Sequence, residues 1–347
     1  MKKIRALIAD DSATMCNVLS ALLSKDPNIE VVGCARDGEQ AISMAETLLP
    51  DVITMDLQMP RLGGLEAIAK IMTTAPSRIL AVCSVDDGGS LDLSFRAIAA
   101  GALELIAKPR SGPGYDIAEW GRRLTESVRL MAEVPVVRRR GAAASPSAAL
   151  RRSGRIDVIV IAASTGGPNA LVTILAAMPA DTPVPILIAQ HMAPGFMQGF
   201  VRWLEQVTPM RVLMSQTGTS CQPGHVYLPP DGHDHTIDAR AIVTVSPSAE
   251  LHCPSADRLL LSAASSFGAR AAGVVLTGMG EDGARGLLAI HQANGVTMAQ
   301  DEATSVVYGM PQAAFQMGAT NVRLPVHAIA EALKDITCDR IGTEKRA

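Results

Sequence analysis

Residues Asp157–Ala170 read D-V-I-V-I-A-A-S-T-G-G-P-N-A, and the rest of the chain is best read outward from them. Asp157 to Ala163 is rich in β-branched and small apolar residues, the composition of a strand buried on both faces. The run stops at Ser164, and Gly166, Gly167 and Pro168 follow at once. Proline suits the first turn of a helix, where its missing N–H would have had no partner. The stretch therefore predicts a parallel strand, a tight turn carrying Ser164, and a helix. A serine there is exposed, and backbone N–H groups at the helix start can receive developing negative charge.

The same alternation runs through both halves of the chain. In the first half, strands are expected at Ile4–Ala9, Val31–Cys34, Val52–Met55, Ile79–Val82 and Leu103–Ala107, each followed by a helical repeat of apolar residues. In the second, strands are expected at Asp157–Ala163, Val184–Gln190, Arg211–Met214, Ala272–Leu276 and Gly295–Ala299, with Thr236–Val245 read as a hairpin. Strands alternating with helices make parallel sheets covered on both faces. The expected class is α/β, with two doubly wound parallel-sheet domains and some antiparallel insertion in the second.

Between the halves, Val134–Arg155 has no period and is rich in Ala, Ser, Pro, Gly and Arg, the composition of a charged, solvated tether. The expected division is a first domain over 1–125, a helix end and flexible linker over 126–155, and a second domain over 156–347. A length of 347 residues agrees with about two domains. A formal net charge of −3 offers no general attraction to nucleic acid. Six scattered cysteines without a C-x-x-C pair argue for reduced cytosolic thiols. The apolar run after Met1 is broken at Asp10 and Asp11, too early for a signal peptide, and no stretch has the roughly 20 apolar residues of a spanning helix. The expected location is the cytoplasm.

The polar residues at the strand ends carry the chemistry. In the first half these are Asp10 and Asp11, Asp56, Cys83 or Ser84, and Lys108. Ligands of a doubly wound sheet gather at the carboxyl ends of its strands, so these side chains should converge. Three carboxylates suit a hard cation such as Mg²⁺, with Lys108 facing an anion that the metal carries. In the second half Ser164, His191 and Asp282 each follow a buried apolar run. A serine needs a base to take its proton, and a histidine base needs an acid to fix its tautomer. The backbone N–H groups of Thr165 and of the loop near Met279 are candidate oxyanion donors. His225, His233, His235 and His252 match no ordinary zinc spacing and read as loop polarity. A nucleotide-binding module or a non-catalytic interaction domain remains the alternative output. Against the first, G-x-G-x-x-G is missing and the second strand ends in Gln190-His191.

Residues 1–125 resemble the receiver domain of two-component response regulators, through Asp10-Asp11, Asp56 in D-L-Q-M-P-R-L-G-G-L, and Lys108-Pro109. That resemblance implies a flavodoxin-like fold, phosphorylation of Asp56 by a histidine kinase, Mg²⁺ held by Asp10, Asp11 and Asp56, and contact of Lys108 with the phosphoryl group. The family's switch hydroxyl is replaced by Cys83, with Ser84 beside it, and Gly63 stands where an acid is usual. Residues 156–335 resemble the Rossmann-like catalytic domain of the chemotaxis protein-glutamate methylesterases, through A-A-S-T-G-G, I-A-Q-H-M, L-T-G-M-G-E-D-G-A and V-Y-G-M-P. This implies Ser164 as nucleophile, His191 as base, Asp282 as orienting acid, and support from Thr165 and Met279. It further implies demethylation of methyl-glutamate on chemoreceptors, deamidation of receptor glutamines, and no cofactor in the catalytic half. Contact with membranes would come only through the receptors. The unphosphorylated receiver is expected to cover the Ser164 edge, and phosphorylation to release it.

Overall fold

Short runs of Val, Ile, Leu and Ala become buried strands because each can be covered by amphipathic helices on both sides. The computed structural model describes residues 3–84, 88–109, 116–134, 155–249 and 253–338. The expected tether, apart from its end residues Val134 and Arg155, and His252 lie outside the described residues. By its internal contacts the chain divides into two units, Met1–Arg139 and Arg140–Ala347.

The first unit runs β1 (Ile4–Ala9), α1 (Ala13–Leu23), β2 (Ile29–Ala35), α2 (Gly38–Leu48), β3 (Val52–Asp56), α3 (Gly64–Thr74), β4 (Arg78–Cys83), α4 (Gly88–Ala100), β5 (Glu104–Ala107) and α5 (Ile117–Glu133). Its sheet is wholly parallel, in the order β2-β1-β3-β4-β5. This is the flavodoxin-like order, whose switch point lies between β1 and β3. Asp10 follows β1 and Asp56 ends β3, so the strand order itself sets the two acids side by side. The helix starts are set locally. Ser12 accepts from the Met15 N–H at 3.3 Å and Asp37 from the Gln40 N–H at 2.8 Å. Caps of this kind stabilise by about 1 kcal/mol each.

The second unit runs β6 (Val158–Ala163), α6 (Gly167–Leu175), β7 (Ile186–Gln190), α7 (Met197–Val207), β8 (Arg211–Met214), β9 (His225–Leu228), β10 (His233–Ile237), β11 (Val243–Pro247), α8 (Ala256–Phe267), β12 (Ala271–Val275), α9 (Ala284–Gln292), β13 (Val296–Gln300), α10 (Met310–Gln316), β14 (Val322–Leu324) and α11 (Val326–Cys338). Seven of these strands form a parallel sheet in the order β14-β13-β12-β6-β7-β9-β8. The order reverses between β6 and β12, which makes that crevice the switch point of the sheet. Every residue of β6, β7, β12 and β13 is buried.

The structure departs from the sequence reading in its details, among them β9, a parallel strand between β7 and β8 where none was expected. The hairpin is β10 paired antiparallel with β11, so its strands begin and end several residues outside Thr236–Val245. Polar His233 and Asp234 head the first strand, which hides its start from a hydrophobic pattern. The edge strand β14 was not anticipated, because three residues with Arg323 exposed are too short to display a period.

Candidate active site

Ser164 sits on a turn that only glycine can make. The Gly167 N–H donates to the Ser164 carbonyl at 2.8 Å, closing a four-residue turn. Gly166 has φ 76° and ψ −7°, while Thr165 keeps a negative φ, as a type II turn requires. A Cβ on Gly166 would also lie 2.6 Å from Cβ of Val306. Pro168 falls in the first turn of α6, as expected. The strand thus hands over to the helix within three residues, and Ser164 is carried at the carboxyl end of β6, buried at 9% exposure where the sequence reading expects an exposed serine, because the turn packs against Val306 and Gly278.

His191 occupies the equivalent place on the neighbouring strand. Ala163 of β6 pairs with Gln190 of β7, so the next residues along, Ser164 and His191, leave adjacent strands at the same level. Parallel strands lie about 4.8 Å apart, so their side chains share one small volume above the sheet. The His191 N–H donates to the Ala163 carbonyl at 2.9 Å, and the Ser164 N–H to the Thr277 carbonyl at 3.0 Å. The latter bond ties β6 to the loop that follows β12 across the switch point.

Asp282 lies in that loop and meets the imidazole directly. His191 Nε2 is 2.8 Å from Asp282 Oδ2, and both side chains are largely buried. Asp282 Oδ2 also accepts the Ala256 N–H, and Oδ1 the Asp257 N–H, each at 2.8 Å. Burial is the largest single influence on this carboxyl and raises its pKa. The bond to His191, the two amides and the His191 charge together outweigh it, leaving Asp282 below the ordinary carboxylate value. The amides are the first of α8, whose positive end adds to the same effect. Asp282 meets the ring at Nε2, where the acid of chymotrypsin meets Nδ1.

Of the two expected oxyanion donors, Thr165 directly follows Ser164, and Met279 directly follows Gly278, at which an added Cβ would meet Ser164. Thr277 Oγ1 donates to the Thr165 carbonyl at 2.9 Å and accepts the Val307 N–H at 2.9 Å, which ties the turn after Ser164 to both loops. Met279 follows Gly278, whose carbonyl accepts the N–H groups of Gly309 and Met310 at 3.1 and 2.9 Å. The V-Y-G-M-P stretch therefore buttresses the L-T-G-M-G loop.

In the first unit, Asp10, Asp11 and Asp56 bring one carboxylate oxygen each within 4.8 Å of the others. Lys108 Nζ lies 2.6 Å from Asp56 Oδ2 and 3.2 Å from Asp10 Oδ2. Burial is the largest influence on Asp56 and leaves its carboxyl above the ordinary value despite Lys108. On Lys108 burial acts downward, but Asp56 and Asp10 together carry its pKa above the ordinary lysine value. Asp10 Oδ2 is buried beside the Lys108 ammonium but has no well-directed hydrogen bond. One ammonium against three carboxylates leaves the cluster short of positive charge, a donor set that fits a hard divalent cation. Cys83 ends β4, buried, and its sulfur receives a hydrogen bond from the Ser94 hydroxyl at 3.2 Å. Burial, the largest influence, pushes its thiol up to about 11. Ser84 follows it, half-buried.

The histidines set aside in the sequence reading have local partners. Nδ1 of His225 and of His233 is 2.8 Å from the Pro223 and Asp231 carbonyls respectively. His235 is buried with Nδ1 2.8 Å from Ser215 Oγ, and burial holds its pKa down to about 4.

This arrangement can be set beside known proteins. A family model described as CheB methylesterase matches residues 159–333, and one described as response regulator receiver domain matches residues 6–113. The chain is 52% identical over 336 residues to protein-glutamate methylesterase/protein-glutamine glutaminase 3 of Myxococcus xanthus, covering 96% of this chain and 93% of that one. The chain belongs to the CheB methylesterase family. A similarly named protein of Anaeromyxobacter dehalogenans is 41% identical, with 97% of this chain and 98% of that one covered. The crystal structure of the Thermotoga maritima CheB methylesterase catalytic domain is 32% identical, covering 52% of this chain and 98% of that one with a TM-score of 0.49. As a CheB methylesterase with a receiver in front, the chain is a response regulator whose output domain is a hydrolase. Among its described residues no helix is long and apolar enough to cross a membrane.

Three residues of the site escaped the sequence reading. Gln190, buried, donates through Nε2 to the Ser164 carbonyl at 2.9 Å and to the His191 carbonyl at 2.8 Å. A buried amide ending a strand, just before the histidine, was the available signal. Gly278 is the second, because any side chain there would meet Ser164. Asp257 is the third, and nothing in its local sequence separates it from an ordinary first-turn helix acid.

Proposed function

We propose that the chain hydrolyses methyl-glutamate esters on chemoreceptors, and deamidates receptor glutamines, with Ser164, His191 and Asp282 acting as a triad. The observation that carries this reading is the His191–Asp282 hydrogen bond one strand away from a serine on a helix-capped turn. Ser164 Oγ attacks the ester carbonyl while His191 Nδ1 takes its proton. The oxyanion is received by the N–H groups of Thr165 and Met279, each such donor being worth about 10²–10³ in rate. The proton passes to the departing methoxide as methanol leaves, and water then cleaves the acyl-enzyme with the same base. With a glutamine substrate the leaving group is ammonia.

The receiver, over residues 1–125, takes a phosphoryl group on Asp56 from a histidine kinase and is joined through 126–155 to the output domain at 156–347. Mg²⁺ held by Asp10, Asp11 and Asp56 would neutralise phosphoryl charge. Lys108 holds the phosphoryl group, and Cys83 or Ser84 responds to it. Phosphorylation adds about −1.5 to −2 charges at one sheet edge and raises the activity of Ser164. All of this takes place in the cytoplasm, at the receptors' inner ends, without nucleic acid.

The test is incubation of the whole protein with membranes carrying methyl-labelled receptors, with and without a small phosphodonor, scoring volatile methanol. Methanol release is expected in both arms and faster with the phosphodonor, with Asp56→Asn removing only the acceleration. No methanol in either arm would overturn the reading. A fragment starting near Arg155 that is no more active than the unphosphorylated whole would overturn regulation by restraint.

Gly278→Ala probes the site without touching the triad. The new Cβ would lie 2.5 Å from Ser164 Cβ and 3.0 Å from the Ser164 nitrogen, and would also crowd Met310. The methionine can move aside, but the strand end cannot without moving the serine. Misplacement by about 1 Å costs about 10²-fold in rate, and that loss is expected here with little change in melting temperature. Unchanged ester hydrolysis would show that Ser164 Oγ is not the reacting atom.

A further inference from the structure

Two acids of the second unit cap each other's helices. Asp282, just before α9, accepts the N–H groups of Ala256 and Asp257 at the start of α8, each at 2.8 Å. In return Asp257 Oδ1 accepts the N–H of Gly283 at 3.0 Å and of Gly286 at 2.8 Å, at the start of α9. The other oxygen of Asp257 accepts Arg285 Nε at 2.7 Å. Asp257 is 4% exposed, and the partners of its carboxylate are Gly283, Gly286 and Arg285.

The detail that matters is which amide Asp257 holds. The Gly283 N–H belongs to the peptide bond that leaves Asp282, so the Asp257 carboxylate anchors the backbone on one side of that residue. The Asp257 backbone N–H anchors the Asp282 carboxylate itself. One residue therefore fixes Asp282 at both ends, leaving its Oδ2 one direction in which to meet His191. The helix starts cannot drift apart to relax this, because Gly286 lets α9 lie directly on α8: a Cβ there would be 2.5 Å from Leu260 Cβ. An ordinary cap would need only the two amides of its own helix end.

We propose that Asp257 is a positioning residue for the hydrolysis, acting through Asp282 to hold the imidazole of His191 in its productive orientation. The proposal rests on the triad reading above. A carboxylate held from one side only would swing with its loop, and the base would lose its alignment before it lost its affinity for substrate.

The test is a double-mutant cycle in the full-length protein, using Asp257→Asn, Asp282→Asn and the pair, with methyl-ester kinetics and the rate of Ser164 labelling by a fluorophosphonate. Asp257→Asn keeps the shape and one acceptor oxygen. It is expected to lower kcat about 10-fold with KM unchanged, in protein that melts as one folded species. In the Asp282→Asn background the same change is expected to cost less than about twofold in labelling rate, because its effect runs through the lost carboxylate. Equal losses in both backgrounds, or an unchanged kcat in the single variant, would overturn the proposal. An Asp282→Asn protein as fast as the parent would sink the triad reading instead. Should Asp257→Asn fail to fold, Asp257→Ser carries the same cycle with the same expected outcome.

Discussion

Ser164→Ala is expected to lower methyl-ester hydrolysis by about 10⁴–10⁶-fold, to the level left by binding and oxyanion donors alone. The loss is this large because, in the proposed mechanism, the Ser164 alcohol forms the acyl intermediate, while the neighbouring amides only stabilise charge. His191→Ala should cost a comparable factor, and the double variant no more than either single one, because a nucleophile without its base and a base without its nucleophile fail at the same step. Phosphorylation of Asp56 by a small phosphodonor should survive in all three, since Asp56 lies in the other unit. The decisive measurements are methanol release and phosphodonor-dependent labelling of the same preparations. More than about one per cent residual hydrolysis in Ser164→Ala would assign the chemistry elsewhere, given the expected factor. Loss of both activities would mean a damaged fold.

Asp282→Asn is the second large effect, with an expected fall of about 10⁴-fold in kcat and a modest loss of stability at neutral pH that shrinks in acid. In the proposed triad Asp282 Oδ2 accepts the Nε2 proton of His191, so that Nδ1 is the nitrogen that takes the Ser164 proton. An amide that turns its NH₂ toward Nε2 reverses the tautomer and puts a proton on Nδ1, where it blocks catalysis. The amide would also lose charge assistance from the Ala256 and Asp257 N–H groups. The same site predicts a pH signature. The Asp282 pKa is lower folded than unfolded, so its contribution to stability is complete above the unfolded value, near 4, and is lost as pH falls through the lower folded value. Thermal unfolding of the parent should therefore weaken more steeply below about pH 4 than that of Asp282→Asn. Parallel curves would mean that the carboxylate gains nothing from its surroundings.

Much of the site was legible because its chemistry sits where strand periodicity stops. Ser164, His191, Asp10 and Lys108 each come directly after the last residue of a strand, and Asp56 is the last residue of its own. Asp282 was harder, lying several residues past the end of β12 in a glycine-rich loop, and it was found by its chemical type. Gln190 and Gly278 were passed over because their importance is a matter of distance: an amide spanning two carbonyls, and a missing Cβ beside another residue's Cβ.

By itself the sequence determined the two alternations of strand and helix, the positions of most strands, and the residue types delivered to their carboxyl ends. Those follow from local physics, since burial on two faces, turn geometry and helix starts are each settled within about ten residues of chain. The tertiary structure alone decided that β6 lies between β7 and β12, that Asp282 meets His191 at Nε2, and that Asp257 and Asp282 brace each other's helices. Such facts depend on which strand finds which neighbour and on a few tenths of an ångström between side chains far apart in sequence. No local pattern encodes them, because the free energy that selects them is that of packing the whole sheet at once.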